Sequence, residues 1–327
     1  MAVLVVAENP EEIIGRMAPD PALAHIARGI WKPAWVDRVR ENPRLKRKLH
    51  EPAVPADRRV FTSEGARKRF VIVQVGADLT VLSHTNAGYL AAMRDLYALD
   101  VEPGVAFPDA GMRAYWEKWN KGRPYLSLHA PFAAWKRALE AGFRPWWQRR
   151  MDEAKKRRKL RMGEARTWYV TGKPRCVKLL RREKPVLARR AKCRVVEGSD
   201  ELLPLIMRGV DYGEHAKDYL SDCLLLQPSF VCEVGGEPVC WAGTHLSGTM
   251  GMIYTPPEHR RKGYGQALAA LQIDCMLARD GIAVAHVVIG NRASEGLLKG
   301  FGAQHSAGTI TWRSLRWPRW KYRKLRR

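Results

Sequence analysis

The feature that most constrains this chain is a basic, glycine-bearing loop that opens directly into an amphipathic helix. The segment from Tyr254 to Leu268 has the sequence YTPPEHRRKGYGQAL. Glycines let the backbone approach an anion closely, and the first N–H groups of a helix have no intrahelical partners. The helix dipole and the charges of Arg260, Arg261 and Lys262 attract negative charge to the same point. The pattern predicts an anion-binding turn, although a single Gly-x-Gly also occurs in plain strand-to-helix connections.

The segments around this loop alternate between strand and helix patterns. Strands are predicted at residues 193–197, 229–234, 238–246, 250–255, 283–289 and 309–312, and helices at 200–208, 264–279 and 293–301. The second and third strands are joined by Gly235-Gly236, a dipeptide typical of tight hairpins. We therefore expect an α/β domain over residues 195–312, with a mixed sheet flanked by helices.

Two motifs within this domain resemble those of a known superfamily. Arg260-x-x-Gly263-x-Gly265 resembles the (Arg/Gln)-x-x-Gly-x-(Gly/Ala) motif of the GNAT superfamily of acyl-CoA N-acyltransferases. Further along, NRASEGLLKGFGA, which begins at Asn291, is similar to the second motif of that superfamily. The resemblance implies a GNAT-like fold, acetyl-CoA or another short acyl-CoA as the donor, and an amine as the acceptor.

The resemblance also implies which residues hold the donor. Strands 250–255 and 283–289 are expected to splay apart, so that a backbone N–H near Ile253 or Tyr254 polarises the thioester carbonyl. The first motif would bind the pyrophosphate, and Asn291 and Ser294 would lie beside the pantetheine arm. The cofactor-binding set is then Ile253, Tyr254, Arg260, Arg261, Lys262, Gly263, Tyr264, Gly265, Gln266, Asn291 and Ser294.

The proton-transfer residues depart from the superfamily pattern. Many relatives carry a carboxylate on the strand before the loop, and residues 250–255 have none. His245 is the best substitute because an imidazole titrates near neutral pH, although a merely hydrogen-bonded histidine fits equally well. Glu233 and His259 are weaker candidates. Leu298 stands where many relatives have a tyrosine that protonates the leaving thiolate, so either Ser294 assists or the thiolate leaves without a dedicated acid.

Cysteine usage and hydropathy exclude several other classes of protein. The six cysteines lie in the second half without CxxC spacing, which favours reduced core thiols over a disulfide framework or a metal site. The sequence contains no run of about 18 apolar residues, so it predicts no membrane-spanning helix. We expect a cytoplasmic protein without a metal site or a membrane partner.

Positive charge is concentrated in two blocks. Residues 136–194, bounded by Lys136 and Arg194, hold 22 Lys and Arg against five Asp and Glu, and the whole chain has a net charge of +24. Residues 313–327, bounded by Arg313 and Arg327, hold eight basic residues and no acidic one. Residues 195–312 are mildly acidic, with eight basic and 13 acidic residues. Such asymmetry favours a polyanionic partner such as nucleic acid, although a solvated surface is the alternative.

The N-terminal half matches no catalytic pattern. Residues 1–160 predict a separate, basic, Trp-rich α+β domain, with strands at 70–75 and 79–82 joined by a tight turn and no internal repeat in the sequence. Residues 161–194 would be a basic linker or hairpin, and residues 313–327 a basic aromatic tail. Tryptophans interleaved with basic residues, including Trp168, either stack on bases or form the core of this domain.

Three functions are compatible with these patterns. The first is an N-acetyltransferase whose primary-amine acceptor is carried on nucleic acid, as a modified base or an RNA residue. The second is the same chemistry on a free small amine or amino acid, for which Asp211, Glu214, Asp218 and Asp222 are candidate recognition residues. The third is a non-catalytic CoA-binding module in a nucleic-acid-binding protein.

Overall fold

The computed structural model describes most of the C-terminal half and selected elements of the N-terminal half. The described residues are 4–7, 9–18, 20–31, 39, 41–42, 48–49, 58–63, 71–75, 78–83, 125–129, 160–172, 191–210 and 217–315. They fall into two compact units. Unit 1 comprises Met1–Trp31, Pro55–Arg166 and Ser306–Arg327, and unit 2 comprises Lys32–Val54 and Thr167–His305.

Unit 1 begins with a strand and two helices and continues as a sheet. Its elements are β1 (Leu4–Val6), α1 (Pro10–Met17), α2 (Pro21–Trp31), β2 (Arg58–Ser63), β3 (Val71–Val75), β4 (Asp78–Leu82) and β5 (Tyr125–His129). Both helices begin with a proline, whose fixed φ and missing N–H suit a first helical turn. Asp20 caps α2 by accepting a 3.0 Å hydrogen bond from the N–H of Leu23.

Antiparallel and parallel pairings join the described strands of unit 1. Strands β1 to β4 pair antiparallel in sequence order, and β4 then pairs parallel with β5. The β3–β4 hairpin confirms the turn predicted after residue 75. The last strand, β12 (Gln304–Leu315), pairs antiparallel with β5 and continues past the predicted end at residue 312. The C-terminal end of the chain therefore completes the edge of β5.

Unit 2 contains the elements predicted for the α/β domain. After the second part of β6 (Leu160–Thr171) come β7 (Ala191–Val196), α3 (Leu203–Gly209), α4 (Lys217–Leu226), β8 (Ser229–Val234), β9 (Glu237–Thr244), β10 (Met250–Tyr254), α5 (Tyr264–Asp280), β11 (Ile282–Val288) and α6 (Arg292–Gly300). The sheet order β7-β8-β9-β10-β11 is antiparallel up to β10, and β11 is parallel to β10. Gly235 and Gly236 both have positive φ, as the predicted β8–β9 hairpin requires. The mixed sheet with flanking helices is confirmed.

The two faces of this sheet carry different helices. On one face α3 and α4 pack on Trp241 and Met252, with Ile206 and Leu220 among the buried residues. On the other face α5 and α6 pack on Met250 and on alternate residues of β11, with Ala283, Ala285, Val287 and Leu298 in one cluster. Alternate residues of a strand point to opposite faces, so Gly251 and His286 belong to the α3/α4 face.

The order of elements in unit 1 recurs in unit 2. Among the described residues, both units contain the same succession: a strand, two helices, three further strands in antiparallel pairings, and a strand that pairs parallel to the one before it. No repeat is visible in the sequence, because strand pairing depends on the alternation of apolar residues rather than on their identity. The parallel strands β4 and β5 share three paired positions, from Asp78 opposite Ser127 to Thr80 opposite His129.

No helix in the described ranges is long and apolar enough to cross a membrane. Among the same residues no cluster of His, Cys, Asp and Glu could hold a metal ion.

Candidate functional site

Strands β10 and β11 separate directly after their first contact. They share a single paired position in this fully described part of the chain, Met250 opposite Ala285. Met252 has a φ of 56°, and the register of β10 against β9 shifts between Gly251 and Tyr254. A bulge of this kind bends a strand and re-aims its backbone groups. The predicted gap between the two strands is therefore present, and the bulge lies at its edge next to Ile253 and Tyr254.

The loop after β10 presents unsatisfied backbone N–H groups. A short 3-10 helix, Pro257–His259, leads to Arg261 with a φ of 60° and to Gly263 with a φ of 86°. Gly263 is the N-cap of α5, and neither a capping side chain nor an acidic residue occupies that first turn. The N–H groups of Tyr264, Gly265 and Gln266 are consequently donors that helix geometry leaves without partners. Donors of this kind suit an anion, as the sequence predicts for this loop.

Basic side chains surround this helix start. Arg260 donates a 3.0 Å hydrogen bond from Nε to the carbonyl oxygen of Thr255, which holds its guanidinium 5.8 Å from the ring centre of Tyr254. Arg261 and Lys262 are exposed. A Cβ on Gly265 would lie 3.2 Å from Oγ1 of Thr255, so glycine permits the close approach of strand and helix there.

The second motif begins α6. Asn291 is its N-cap, and its Oδ1 accepts a 3.2 Å hydrogen bond from the N–H of Ser294. Both residues lie at the end of β11, beside the exposed side chains of Val288 and Ile289. Leu298 is 4% exposed and packs in the core with Trp168. The position that is a tyrosine in many relatives is therefore filled by a core side chain.

His245 lies on the α3/α4 face, opposite to the anion site. It follows β9 in a tight turn in which its N–H donates to the carbonyl oxygen of Thr249 at 2.9 Å. Its Nε2 lies 2.6 Å from the position of a Cβ on Gly251. Burial lowers the pKa of His245 to about 4, so the imidazole is neutral at physiological pH.

His245 has one side-chain partner that sequence reasoning missed. The hydroxyl of Tyr219, on α4, lies 3.0 Å from Nδ1 of His245. The two residues are 26 positions apart, and no short motif links them. The spacing of Tyr219 and Cys223 fits one helical turn, but such spacing cannot identify a partner on another element.

The other catalytic candidates lie elsewhere. Glu233 is at the β8 hairpin, where it binds Arg194 at 3.1 Å and belongs to an exposed ion-pair group with Glu201. Ser294 is in the first turn of α6, and His259 packs near the ring of Tyr264. In the described residues no hydrogen bond or ion pair joins His245, Glu233 and Ser294.

The described cysteines are reduced. Cys193, Cys232 and Cys240 stand opposite one another on β7, β8 and β9, and Cys223 is buried on α4. Burial raises the pKa of Cys240 to about 11, which keeps its thiol protonated. Trp168 is likewise a core residue, 2% exposed. Cys176 and the predicted tryptophan-rich segments before residue 160 lie outside the described residues.

The chain is similar to one family model and to several solved structures. Residues 233–312 match the family model described as FR47-like protein. The fold is similar to that of a Drosophila protein, with a TM-score of 0.58 at 14% identity over 97% of this chain and 99% of that chain. A GCN5-related N-acetyltransferase from Kribbella flavida has a TM-score of 0.42 at 14% identity, over 77% of this chain and 89% of that one. A tandem GNAT protein from the clavulanic acid biosynthesis pathway has a TM-score of 0.42 at 11% identity, over 96% and 98%.

The mixed sheet with its flanking helices resembles the GNAT fold, as the two sequence motifs predicted, and residues 233–312 match a GNAT-like family model. Proteins with this fold generally use acyl-CoA.

Proposed function

We propose that the protein is an acyl-CoA-dependent N-acyltransferase that moves an acetyl group, or another short acyl group, to a primary amine. One observation carries this proposal. The gap that opens after Met250 and Ala285 leads directly to the uncapped, positively charged start of α5. A gap that exposes strand backbone beside an anion-binding helix start suits a long molecule with a pyrophosphate at one end.

Different residues of this chain would bind different parts of the donor. The N–H groups of Tyr264, Gly265 and Gln266, with Arg260, Arg261 and Lys262, would hold the pyrophosphate around Gly263. Asn291 and Ser294 would lie beside the pantetheine arm, and an N–H near Ile253 or Tyr254 would donate to the thioester oxygen. Donors fixed in advance at that oxygen stabilise the negative charge that develops during attack.

The acceptor would enter from the α3/α4 face. The loop and α5 occupy one face of the sheet and His245 the other, so donor and acceptor meet in the gap. The amine nitrogen forms a bond with the acyl carbon while the carbon–sulfur bond breaks, and the electron pair leaves with the thiolate. His245 would accept the proton that the amine loses.

A short acyl group fits the closed end of the gap. Met250 and Ala285 remain paired there, and both are buried. The paired backbones would close the gap to a longer acyl chain at this point. The arrangement supports acetyl-CoA or another short acyl-CoA as the donor.

The charge distribution supports an acceptor carried on nucleic acid. The two blocks of positive charge, residues 136–194 and 313–327, flank a mildly acidic catalytic domain. Phosphate neutralisation by Lys and Arg supplies affinity that does not depend on base sequence. A modified base or an RNA residue with a primary amine would then be held near the gap by its own backbone.

A free small amine or amino acid is the second candidate acceptor. It is favoured by carboxylates on α4, which packs on the face where the acceptor would enter. Asp222 is buried and Asp218 partly buried, whereas Asp211 and Glu214 lie outside the described residues. A negatively charged wall attracts a cationic amine and repels a phosphate backbone.

A paired transfer assay separates these acceptors. Radiolabelled acetyl-CoA is offered with DNA and RNA, including amine-modified material, or with a pool of free amines and amino acids. The Gly263→Glu variant is the control in both arms because its carboxylate would repel the pyrophosphate. Label that enters polymer only with the native loop supports the nucleic-acid acceptor, and label in small amines alone overturns it. Bound acetyl-CoA without transfer to either class would overturn the proposed activity on these acceptors and indicate a protein acceptor or a non-catalytic CoA module.

A further inference from the structure

Three side chains from two elements meet on the α3/α4 face of unit 2. Tyr219 and Cys223 are one helical turn apart on α4, and His245 lies in the turn after β9. The Tyr219 hydroxyl lies 3.0 Å from Nδ1 of His245, and the two rings are stacked at an interplanar angle of 28°. The contact therefore fixes the orientation of the imidazole ring and gives Nδ1 a hydrogen-bond partner.

The 3.0 Å contact between the Tyr219 hydroxyl and Nδ1 of His245 can be made in two ways, because either atom can donate. The direction in which Nδ1 donates and the Tyr219 oxygen accepts is the one that suits a base in the gap.

This direction determines the tautomer of His245. A neutral imidazole has one N–H and one lone pair. If Nδ1 donates its proton to the oxygen of Tyr219, the lone pair is on Nε2. That atom is next to Gly251, the residue that follows the last paired position of β10. The acceptor nitrogen of the imidazole therefore faces the gap between β10 and β11.

We propose that Tyr219 is a positioning residue that holds His245 with its proton on Nδ1, so that Nε2 accepts the proton of the attacking amine. The inference rests on the proposed acyltransferase function and deepens it. The amine proton moves to Nε2 and the imidazolium retains its Nδ1–H hydrogen bond to Tyr219. The carbon–nitrogen bond forms as the carbon–sulfur bond breaks, and the thiolate leaves with the electron pair.

The Tyr219 oxygen also compensates for the burial of His245. An imidazolium is costly in this environment, since burial holds the pKa of His245 far below its usual range. An oxygen that accepts from Nδ1–H favours the charged form and makes the base stronger. The elements of this face also carry Asp218 and Asp222 on α4, Arg208 in the last turn of α3 and His286 on β11.

The first test is the Tyr219→Phe variant, which keeps the ring and removes the oxygen. We expect kcat to fall by about 10- to 100-fold, within the range of general-base contributions, with an unchanged KM for acyl-CoA. The Tyr169→Phe variant is the matched control because it loses an exposed hydroxyl bond to Gln304 of 3.0 Å. It should retain the native kcat. An unchanged kcat in Tyr219→Phe would overturn the proposal.

The tautomer itself gives a readout that needs no activity. Nitrogen NMR of the native protein labelled at histidine should show His245 protonated at Nδ1, and Tyr219→Phe should lose this preference. A native Nε2–H tautomer would overturn the inference even if transfer activity is demonstrated. Conversely, a protein that shows the Nδ1–H tautomer but transfers no acyl group would retain the hydrogen-bond assignment while the proposed function fails.

Discussion

The Nε2 atom of His245 lies 2.6 Å from the position that a Cβ on Gly251 would occupy. A Gly251→Ala substitution therefore displaces the imidazole from its place beside the gap. We expect kcat to fall by roughly tenfold or more, since misplacement of a catalytic group by about 1 Å has large effects on rate. Affinity for acyl-CoA should be retained because the anion site is on the other face of the sheet. Steady-state kinetics and calorimetric titration with acyl-CoA measure the two effects.

The control for this prediction is Gly300→Ala. A Cβ at Gly300, in the last turn of α6, meets nothing within 4 Å, and the residue does not have a positive φ. Native kcat in Gly300→Ala together with native kcat in Gly251→Ala would show that the position of His245 is irrelevant to transfer.

Gly263 and Gly236 allow backbone strain to be separated from donor binding. Their φ values are 86° and 89°, and a Cβ on either residue would meet open space. Alanine at either position should cost a similar free energy of unfolding, about 1–2 kcal/mol, because the left-handed region is unfavourable for residues with a Cβ. Only Gly263→Ala should weaken acyl-CoA binding, by roughly tenfold, which corresponds to about 1.4 kcal/mol. Isothermal titration with acyl-CoA and urea unfolding of both variants test this prediction. An equal loss of affinity in both variants would show that the loop around Gly263 does not bind the donor.

His245 should make the stability of the protein depend on pH. Its pKa is about 4 in the folded protein, below the ordinary value of 6.5 expected in the unfolded chain. Between these two values the unfolded chain binds a proton that the folded protein does not, so the free energy of unfolding falls as pH is lowered from 6.5 to about 4. The contribution is fully present above 6.5 and changes no further below the folded pKa.

The measurement compares the native protein with His245→Gln by urea unfolding near neutral pH and near the folded pKa. We expect the variant to lose less stability on acidification, by up to about 3 kcal/mol. Identical pH dependence in the two proteins would show that the imidazole is exposed to solvent in the folded state.

Glu233→Gln should have little effect on activity. The carboxylate is bound to Arg194 in an exposed ion pair at the β8 hairpin, two strands away from β10 in the sheet. Exposed pairs contribute about 0–1 kcal/mol to stability, so the loss of this one should be small. We expect kcat/KM within about twofold of the native value, which is a negligible change in activation free energy. If kcat/KM fell strongly while the stability stayed native, Glu233 rather than His245 would be the proton acceptor.

The basic tail provides a test of polyanion binding. Replacement of Arg323, Lys324, Arg326 and Arg327 by glutamine removes four positive charges from residues 313–327. If they contact phosphates of single-stranded RNA, the dependence of log K on log salt should become shallower by about 0.7 for each lost contact. Fluorescence anisotropy with labelled RNA at several salt concentrations measures this slope. An unchanged slope would indicate that the tail serves solubility.

The donor site could be predicted from the sequence because its functional groups are neighbours along the chain. The N–H groups that follow Gly263 belong to consecutive residues, and their direction follows from the start of a helix. The same holds for the β8–β9 hairpin and for the cap that Asn291 forms with Ser294. Local geometry of this kind depends on residues within a single turn or loop.

The acceptor face could not be predicted in the same way. Its geometry depends on which strand position is opposite Met250, on the rotation of α4 that presents Tyr219, and on the packing that brings Cys223 to the same hydroxyl. The recurrence of one order of elements in the two units could not be predicted from the sequence either. Strands can pair in the same way even when their side chains are unrelated.

Residue patterns alone were enough to predict the mixed sheet and a cofactor loop and to locate the charge. These follow from local backbone preferences, from apolar periodicity and from composition, which require no knowledge of contacts between distant residues. The packed structure was needed to show that Glu233 is held in an ion pair, that Leu298 is a core residue and that His245 lies beside Gly251 with Tyr219 at its Nδ1. Burial and partners convert a residue type into a chemical role, and both are properties of the packed chain.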